Sequence, residues 1–212
     1  MSAPAAGPAL PPSFYGREAE EVARDLLGAH LVSTNGGARV SGRIVETEAY
    51  VGPHDPASHA AERIGRTARN ASMFGAPGIA YVYRIYGLHW CLNAVTGDPG
   101  HPAAVLIRAV EPLCGLEVMR RRRRESPDRR LATPPPGWPS DRDLARGPAR
   151  LARAFAIDGS LGGHPLDQPP LWIAAPSPPT TPPAVTTGPR IGVSRAADWQ
   201  LRFWITGSQF VS

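Results

Sequence analysis

The chain of 212 residues, 42% of them hydrophobic, is long enough for one large domain with a real core or for two small ones. Its net charge of +5 and pI of 9.9 suit a polyanionic partner without requiring one. All 23 basic residues are arginine, so no side-chain amine exists to form a Schiff base, and the two cysteines exclude a disulfide framework and a four-cysteine zinc site.

Residues 1–12 are Ala/Pro/Gly-rich and read as a disordered tail, without the basic and apolar regions of a signal peptide. No apolar run approaches the ~20 residues that span a bilayer. A cytoplasmic protein without membrane contact is therefore expected.

Helical spacing of Ala19, Val22, Ala23, Leu26 and Leu27 predicts a helix over 17–27, ended by Gly28. Ala29–Val32 and Ala38–Tyr50 read as strands joined by a turn at Asn35-Gly36-Gly37. Asp55-Pro56 fits the start of a short helix, and the basic, aperiodic run 63–70 a surface loop able to hold phosphates. Ile79–Ile85 and Leu88–Val95 form a predicted hairpin around Tyr86-Gly87.

Ala103–Val110 is an apolar strand carrying a single charge, Arg108, which needs a reason to be there. Glu111-Pro112 reads as the start of a helix running into Arg120–Arg124, five arginines that fit a solvated helix end or a phosphate contact. Another helix starts at Gly147-Pro148. Leu171–Ala174, Arg190–Val193 and Leu201–Thr206 look like closing strands, with loop insertions near 125–142 and 176–189. The pattern predicts an α+β fold: one compact domain over 13–212, with a mixed, mostly antiparallel curved β-sheet flanked by short helices.

The run Gly42–Tyr50 draws attention. Strict alternation puts Ile44, Glu46, Glu48 and Tyr50 on one face, so two carboxylates about 6.6 Å apart point the same way on a core strand. Buried carboxylates are paired, hydrogen-bonded or functional. A structural ion pair is the ordinary explanation, and the strand alone does not decide against it. Four of the five tyrosines lie between Tyr50 and Tyr86. Tyr50, His59 and Tyr83 could line one pocket, and Tyr86 at a turn tip is a candidate wedge for a base step.

Several runs in order resemble one family: Gly42-Arg-Ile-Val-Glu-Thr-Glu-Ala-Tyr50, Asp55-Pro-Ala-Ser-His59, Gly65-Arg-Thr-Ala-Arg-Asn70, Tyr81-Val-Tyr-Arg-Ile-Tyr-Gly87, Cys91-Leu-Asn93, Val105–Pro112, Gly147–Leu151 and Arg190–Val193. They look like the alkyladenine (3-methyladenine) DNA glycosylases, from about residue 14 onward. The resemblance implies a monofunctional enzyme of base excision repair that flips alkylated or deaminated purines from double-stranded DNA and leaves an abasic site. It needs no cofactor or metal and is expected to act as a monomer.

By the same resemblance Glu48 is the base that activates water, Arg108 helps hold that water, and the backbone carbonyl of Ile191 is the water's third contact. Tyr50, His59 and Tyr83 sandwich the base, and Asn93 disfavours the amine of guanine. Tyr86 fills the gap in the duplex. Thr67, Arg69, Met73, Arg84 and Arg150 are expected to touch DNA, and Glu46 is expected to be structural and paired with an arginine. A catalytically silent damaged-DNA binder is the alternative, and a hydrolase of free nucleosides a third. The presence of both Glu48 and Arg108 speaks against the silent binder, and the turn-tip Tyr86 with the basic loop against a free-nucleoside substrate.

Overall fold

The sheet is built around one long strand. The computed structural model describes residues 6–125, 139–177 and 180–212. Its elements run α1 (Pro12–Tyr15), α2 (Ala19–Asp25), β1 (His30–Ser33), β2 (Val40–Tyr50), β3 (Ala80–Ile85), β4 (His89–Thr96), β5 (Ala103–Cys114), α3 (Leu116–Arg124), α4 (Pro148–Ala154), β6 (Asp167–Gln168), β7 (Leu171–Ala174), β8 (Val185–Gly188) and β9 (Arg202–Ile205).

The strand order is β3-β4-β5-β2-β1-β7-β6, and β9, paired with β8, joins the far half of β2. Pairings among the described strands are antiparallel. The sheet curls into a half-barrel, a single compact α+β domain with a few short helices. β2 holds β5 along one edge and both β1 and β9 along the other, so it is buried almost throughout. The predicted helix forms as α2, whose Val22, Ala23 and Leu26 pack into the main core. Thr47 donates to the carbonyl of Ala23 at 2.8 Å and fixes α2 on β2.

Irregularities in the β2–β5 pairing change the simple alternation. Register shifts fall between Ile44 and Glu46 and again between Glu46 and Thr47. The first leaves Val45 as an extra residue on β2; the second leaves Arg108 as an extra residue on β5. An extra residue moves every side chain beyond it to the other face. Ile44 consequently packs in the main core with Ala49, away from the glutamates. The unpaired Arg108 is re-aimed, and its side chain reaches both carboxylates.

Other local expectations are also corrected. Glu111-Pro112 does not open a helix: β5 continues to Cys114, because Glu111 stands opposite Arg43 and bonds it at 2.8 Å. Pro112 is tolerated there because the pairing is irregular beside it, between Ser41 and Gly42. Gly115, with φ +76°, then turns the chain into α3. Asp55-Pro56 forms turns rather than a helix, and Arg190–Val193 is irregular rather than a strand. The loop expected at 176–189 contains β8.

Order in the tail begins earlier than expected. Gly7 donates to Ala175 and Leu10 to Ile173, both at 2.9 Å, laying 7–10 beside β7. Most of the insertion expected at 125–142 lies outside the described residues.

Arg120, Arg122 and Arg123 of the arginine run are engaged within the fold. Arg122 bonds the carbonyls of Ala154, Asn35 and Ala38, Arg120 pairs with Glu117 and Asp141, and buried Arg123 reaches the carbonyl of Leu144. Arg122 thus ties α3 to α4 and to the β1–β2 turn, while Arg120 and Arg123 tie it to the segment 141–144.

Candidate active site

Glu48 is fully buried, and the Tyr50 bonded to it lines a cavity of about 230 Å³ together with His59, Met73, Tyr81, Tyr83 and Asn93, among others. Three donors hold its carboxylate. The Ile191 N–H donates to Oε1 at 2.7 Å, Arg108 Nη1 lies 3.1 Å from the same oxygen, and the Tyr50 hydroxyl is 3.2 Å from Oε2. Burial pushes the Glu48 carboxyl above the ordinary glutamate range, while Arg108, the Ile191 amide and the Tyr50 hydroxyl pull the other way and Glu46 adds to the rise. Burial alone would lower the Arg108 pKa, but Glu48 and Glu46 outweigh it, so the guanidinium stays charged.

Glu46 has a different environment. Its Oε1 accepts from Arg108 Nε at 3.2 Å and Arg202 Nη1 at 2.9 Å, and its Oε2 from the Ser212 N–H at 2.7 Å. These bonds make it the anchor of two arginines, a structural role.

Strand β3 carries the aromatic wall. Tyr81 and Tyr83 project to the cavity, whereas Val82 packs into the main core. His59 meets Tyr83 edge-on at 4.4 Å between centroids, and its Nδ1 lies 2.9 Å from the Tyr81 hydroxyl. Burial, with the charge of Arg69, lowers the His59 pKa, so the imidazole is neutral at pH 7. Burial pushes the Tyr81 phenol up to about 12. Asn93 donates to the Tyr81 carbonyl at 3.0 Å.

The expected DNA contacts separate into groups. Tyr86 is 85% exposed, the most exposed large hydrophobic side chain among the described residues, with Leu88 beside it. Tyr86 and Gly87 have φ of +52° and +67°, the backbone of a tight hairpin turn closed by the Leu88 N–H on the Ile85 carbonyl. A bulky residue at positive φ is strained, and such strain concentrates at functional positions. Thr67 and Asn70 cap each other's backbone and shape the basic loop. Arg69 lies 5.5 Å over the Tyr83 ring and bonds the Arg84 carbonyl.

Three residues depart from a simple surface role. Met73, expected at the DNA surface, is only 2% exposed and belongs to the cavity wall. Arg84 lies on the opposite face of β3, its guanidinium 4.6 Å over the Trp90 ring. Arg150 is exposed and pairs with Asp143 at 3.0 Å. Among the described residues, no three His, Cys, Asp or Glu side chains converge as metal ligands would, and no helix is long and apolar enough to cross a membrane.

A family model described as Methylpurine-DNA glycosylase matches residues 13–209. The chain belongs to this family.

The relatives agree with the methylpurine-DNA glycosylase assignment. A protein of Rhodopseudomonas palustris (strain HaA2) is 46% identical, covering 100% of this chain and 96% of its own length. One from Nitrosospira multiformis is 48% identical over 91% of this chain and 88% of its own, and one from Methanoculleus marisnigri 43% identical over 96% and 98%. Each bears the name "Putative 3-methyladenine DNA glycosylase". As a member of the methylpurine-DNA glycosylases the chain is a DNA glycosylase, a hydrolase of N-glycosyl bonds.

Two parts of this glycosylase site were not singled out from sequence. Tyr81 binds His59, and the Tyr81/Tyr83 alternation was the signal for it. Asp55 and Arg190 form a buried ion pair across 135 residues of sequence, with no local signal.

Proposed function

We propose that this chain excises alkylated or deaminated purines from duplex DNA as a monofunctional glycosylase. The damaged base leaves the stack and enters the cavity between Tyr50, His59 and Tyr83. Glu48, ionised, takes a proton from a water that attacks C1′ of the sugar. The C1′–N bond breaks, the base departs, and an abasic site remains. An alkylated purine is cationic and leaves readily, so activating water matters more than protonating the leaving group.

The carrying observation is the buried Glu48 carboxylate, held by Arg108, the Ile191 amide and Tyr50, the last of which lines an aromatic cavity. Binding alone has no need of such a carboxylate. The cavity, about 230 Å³, is smaller than the ~300–1,000 Å³ usual for small-molecule sites and suits one base. Neutral His59 keeps one ring nitrogen on Tyr81 and offers the other to the base. In this reading Asn93 disfavours the guanine amine, Tyr86 fills the vacated position, and Thr67, Arg69 and Arg150 border the duplex.

Incubation with a duplex carrying a single hypoxanthine, then hot alkali, should nick that strand at the lesion. Tight binding without a nick would mean a silent binder. With no lysine present, a borohydride-trappable protein–DNA adduct is not expected, and finding one would overturn the monofunctional assignment.

The pH dependence follows from Glu48. The base works only ionised, and its pKa is raised. Excision should therefore fall on acidification through a value above that of ordinary glutamate, as read from a single-turnover pH profile. An acid limb at or below the ordinary value would contradict the assignment.

Tyr86 separates binding from folding. Tyr86→Gly removes a stacking ring worth about 1–3 kcal/mol, so lesion-duplex affinity should drop about 5- to 150-fold. Glycine also suits φ +52°, so the melting temperature should hold or rise. Unchanged affinity would remove Tyr86 from the interface.

A further inference from the structure

Asp55 and Arg190 form an ion pair whose side chains are fully buried. Two guanidinium nitrogens meet the two carboxylate oxygens, at 2.5 and 2.9 Å. Arg190 Nη1 also donates to the Ala49 carbonyl at 3.0 Å, on β2 between Glu48 and Tyr50. The guanidinium lies 4.8 Å from the centre of the Tyr50 ring.

One side chain thus touches three pieces of the site. Ala49 is the backbone link between the proposed base and its tyrosine. Asp55 opens the turns that lead to His59, and its Oδ1 also accepts from the Ala57 N–H at 3.0 Å. Ile191, next in the chain after Arg190, gives its N–H to Glu48. The segments carrying Ile191 and His59 are irregular, so no strand ladder fixes them against β2. A buried charge pair is costly and is weak evidence for stability; fixing one geometry is the better-attested use. A planar guanidinium supplies that geometry where an ammonium cannot.

We propose that Arg190, clamped by Asp55, is a positioning residue for the glycosylase reaction: it sets Tyr50 and the Ile191 amide against Glu48 and seats the His59 turn at the cavity. The proposal rests on the glycosylase reading. Its effect is on the rate of bond cleavage rather than on the affinity for DNA, because Arg190 is buried and touches no surface that meets the duplex.

The test uses the full chain and a duplex containing one hypoxanthine. The wild-type arm decides the glycosylase reading, and the variants, compared with it, decide this proposal. Arg190→Lys should lower single-turnover excision about a hundredfold, the scale of a misplaced catalytic geometry. The dissociation constant for the same duplex should stay within about threefold, which is ~0.65 kcal/mol.

The acid limb of the pH profile should also move to higher pH, because a displaced Ile191 N–H no longer favours the Glu48 carboxylate. The other charged or titratable groups facing Glu48, which are Arg108, Glu46, Tyr50 and Cys91, are unchanged in the variant. A purely structural role would not move that limb.

Because Arg190→Lys could unfold the chain, the paired change Asp55→Leu/Arg190→Met provides the second arm. Apolar replacements of similar volume often preserve the stability of a buried ion pair. This variant should melt near the wild type and still excise about a hundredfold more slowly. Wild-type excision rates with an unmoved acid limb in either folded variant would overturn the proposal. So would a loss of rate fully matched by a loss of affinity.

Discussion

Glu48→Gln is expected to abolish excision while the lesion duplex still binds. Glutamine keeps the shape of the side chain and can still accept the Ile191 N–H. Its neutral amide cannot take a proton from water. Loss of a general base costs about 10²–10⁴ in rate, and single-turnover excision would show it beside an unchanged binding curve.

The same variant should not be less stable. Burial is the largest cause of the raised Glu48 pKa, so the folded protein binds that proton more tightly than the unfolded chain. Such a group adds stability below its unfolded pKa and loses it as pH rises through the folded one. At neutral pH Glu48→Gln should therefore melt at or above the wild type, with a difference that shrinks on acidification. If Glu46→Gln abolished excision while Glu48→Gln retained it, the two glutamates would have to exchange roles.

Glu46→Ala should have the opposite profile. It leaves Arg108 without one of its two carboxylates and takes away the carboxylate that Arg202 holds; Arg202 Nε already has no hydrogen-bond partner. Breaking a buried pair from one side costs about 3–5 kcal/mol, or roughly 10 °C in melting temperature for a chain of this size. Thermal melts read this directly. A melting temperature within a degree or two of the wild type would show that the arginines find solvent or other partners.

These two experiments separate residues that the sequence left on one strand face. Period-2 alternation was enough to say that Glu46 and Glu48 point the same way, and the structure agrees. It was not enough for Ile44, because the bulge at Val45 lies between them. Nor could it explain Arg108, whose reach to both carboxylates depends on a second irregularity in the partner strand. A bulge is a property of two strands together, so neither strand's pattern announces it.

The elements themselves were largely readable. Helical spacing marked α2, and Tyr86-Gly87 marked the β3–β4 turn. Errors fell where a long-range contact outweighed a local preference. Pro112 stayed in a strand because Glu111 faces Arg43, and Asp55-Pro56 did not nucleate a helix, the Asp55 side chain capping a turn and meeting Arg190 instead. The arginine run looked like a charged surface, yet its Arg122 bonds carbonyls of α4 and of the β1–β2 turn, which adjoin it only after folding.

By itself the sequence determined the chemistry available: arginine without lysine, a Glu-x-Glu-x-Tyr strand, a tyrosine-rich hairpin and motifs in family order. These are local properties of residue type and spacing. Only the tertiary structure decided which glutamate bonds the cavity-lining Tyr50, that the Ile191 N–H reaches that same carboxylate, and that Asp55 and Arg190 join two loops to β2. Those outcomes depend on where distant segments meet in a low-dielectric interior. Burial there raises the pKa of one carboxylate and seats the other among arginines.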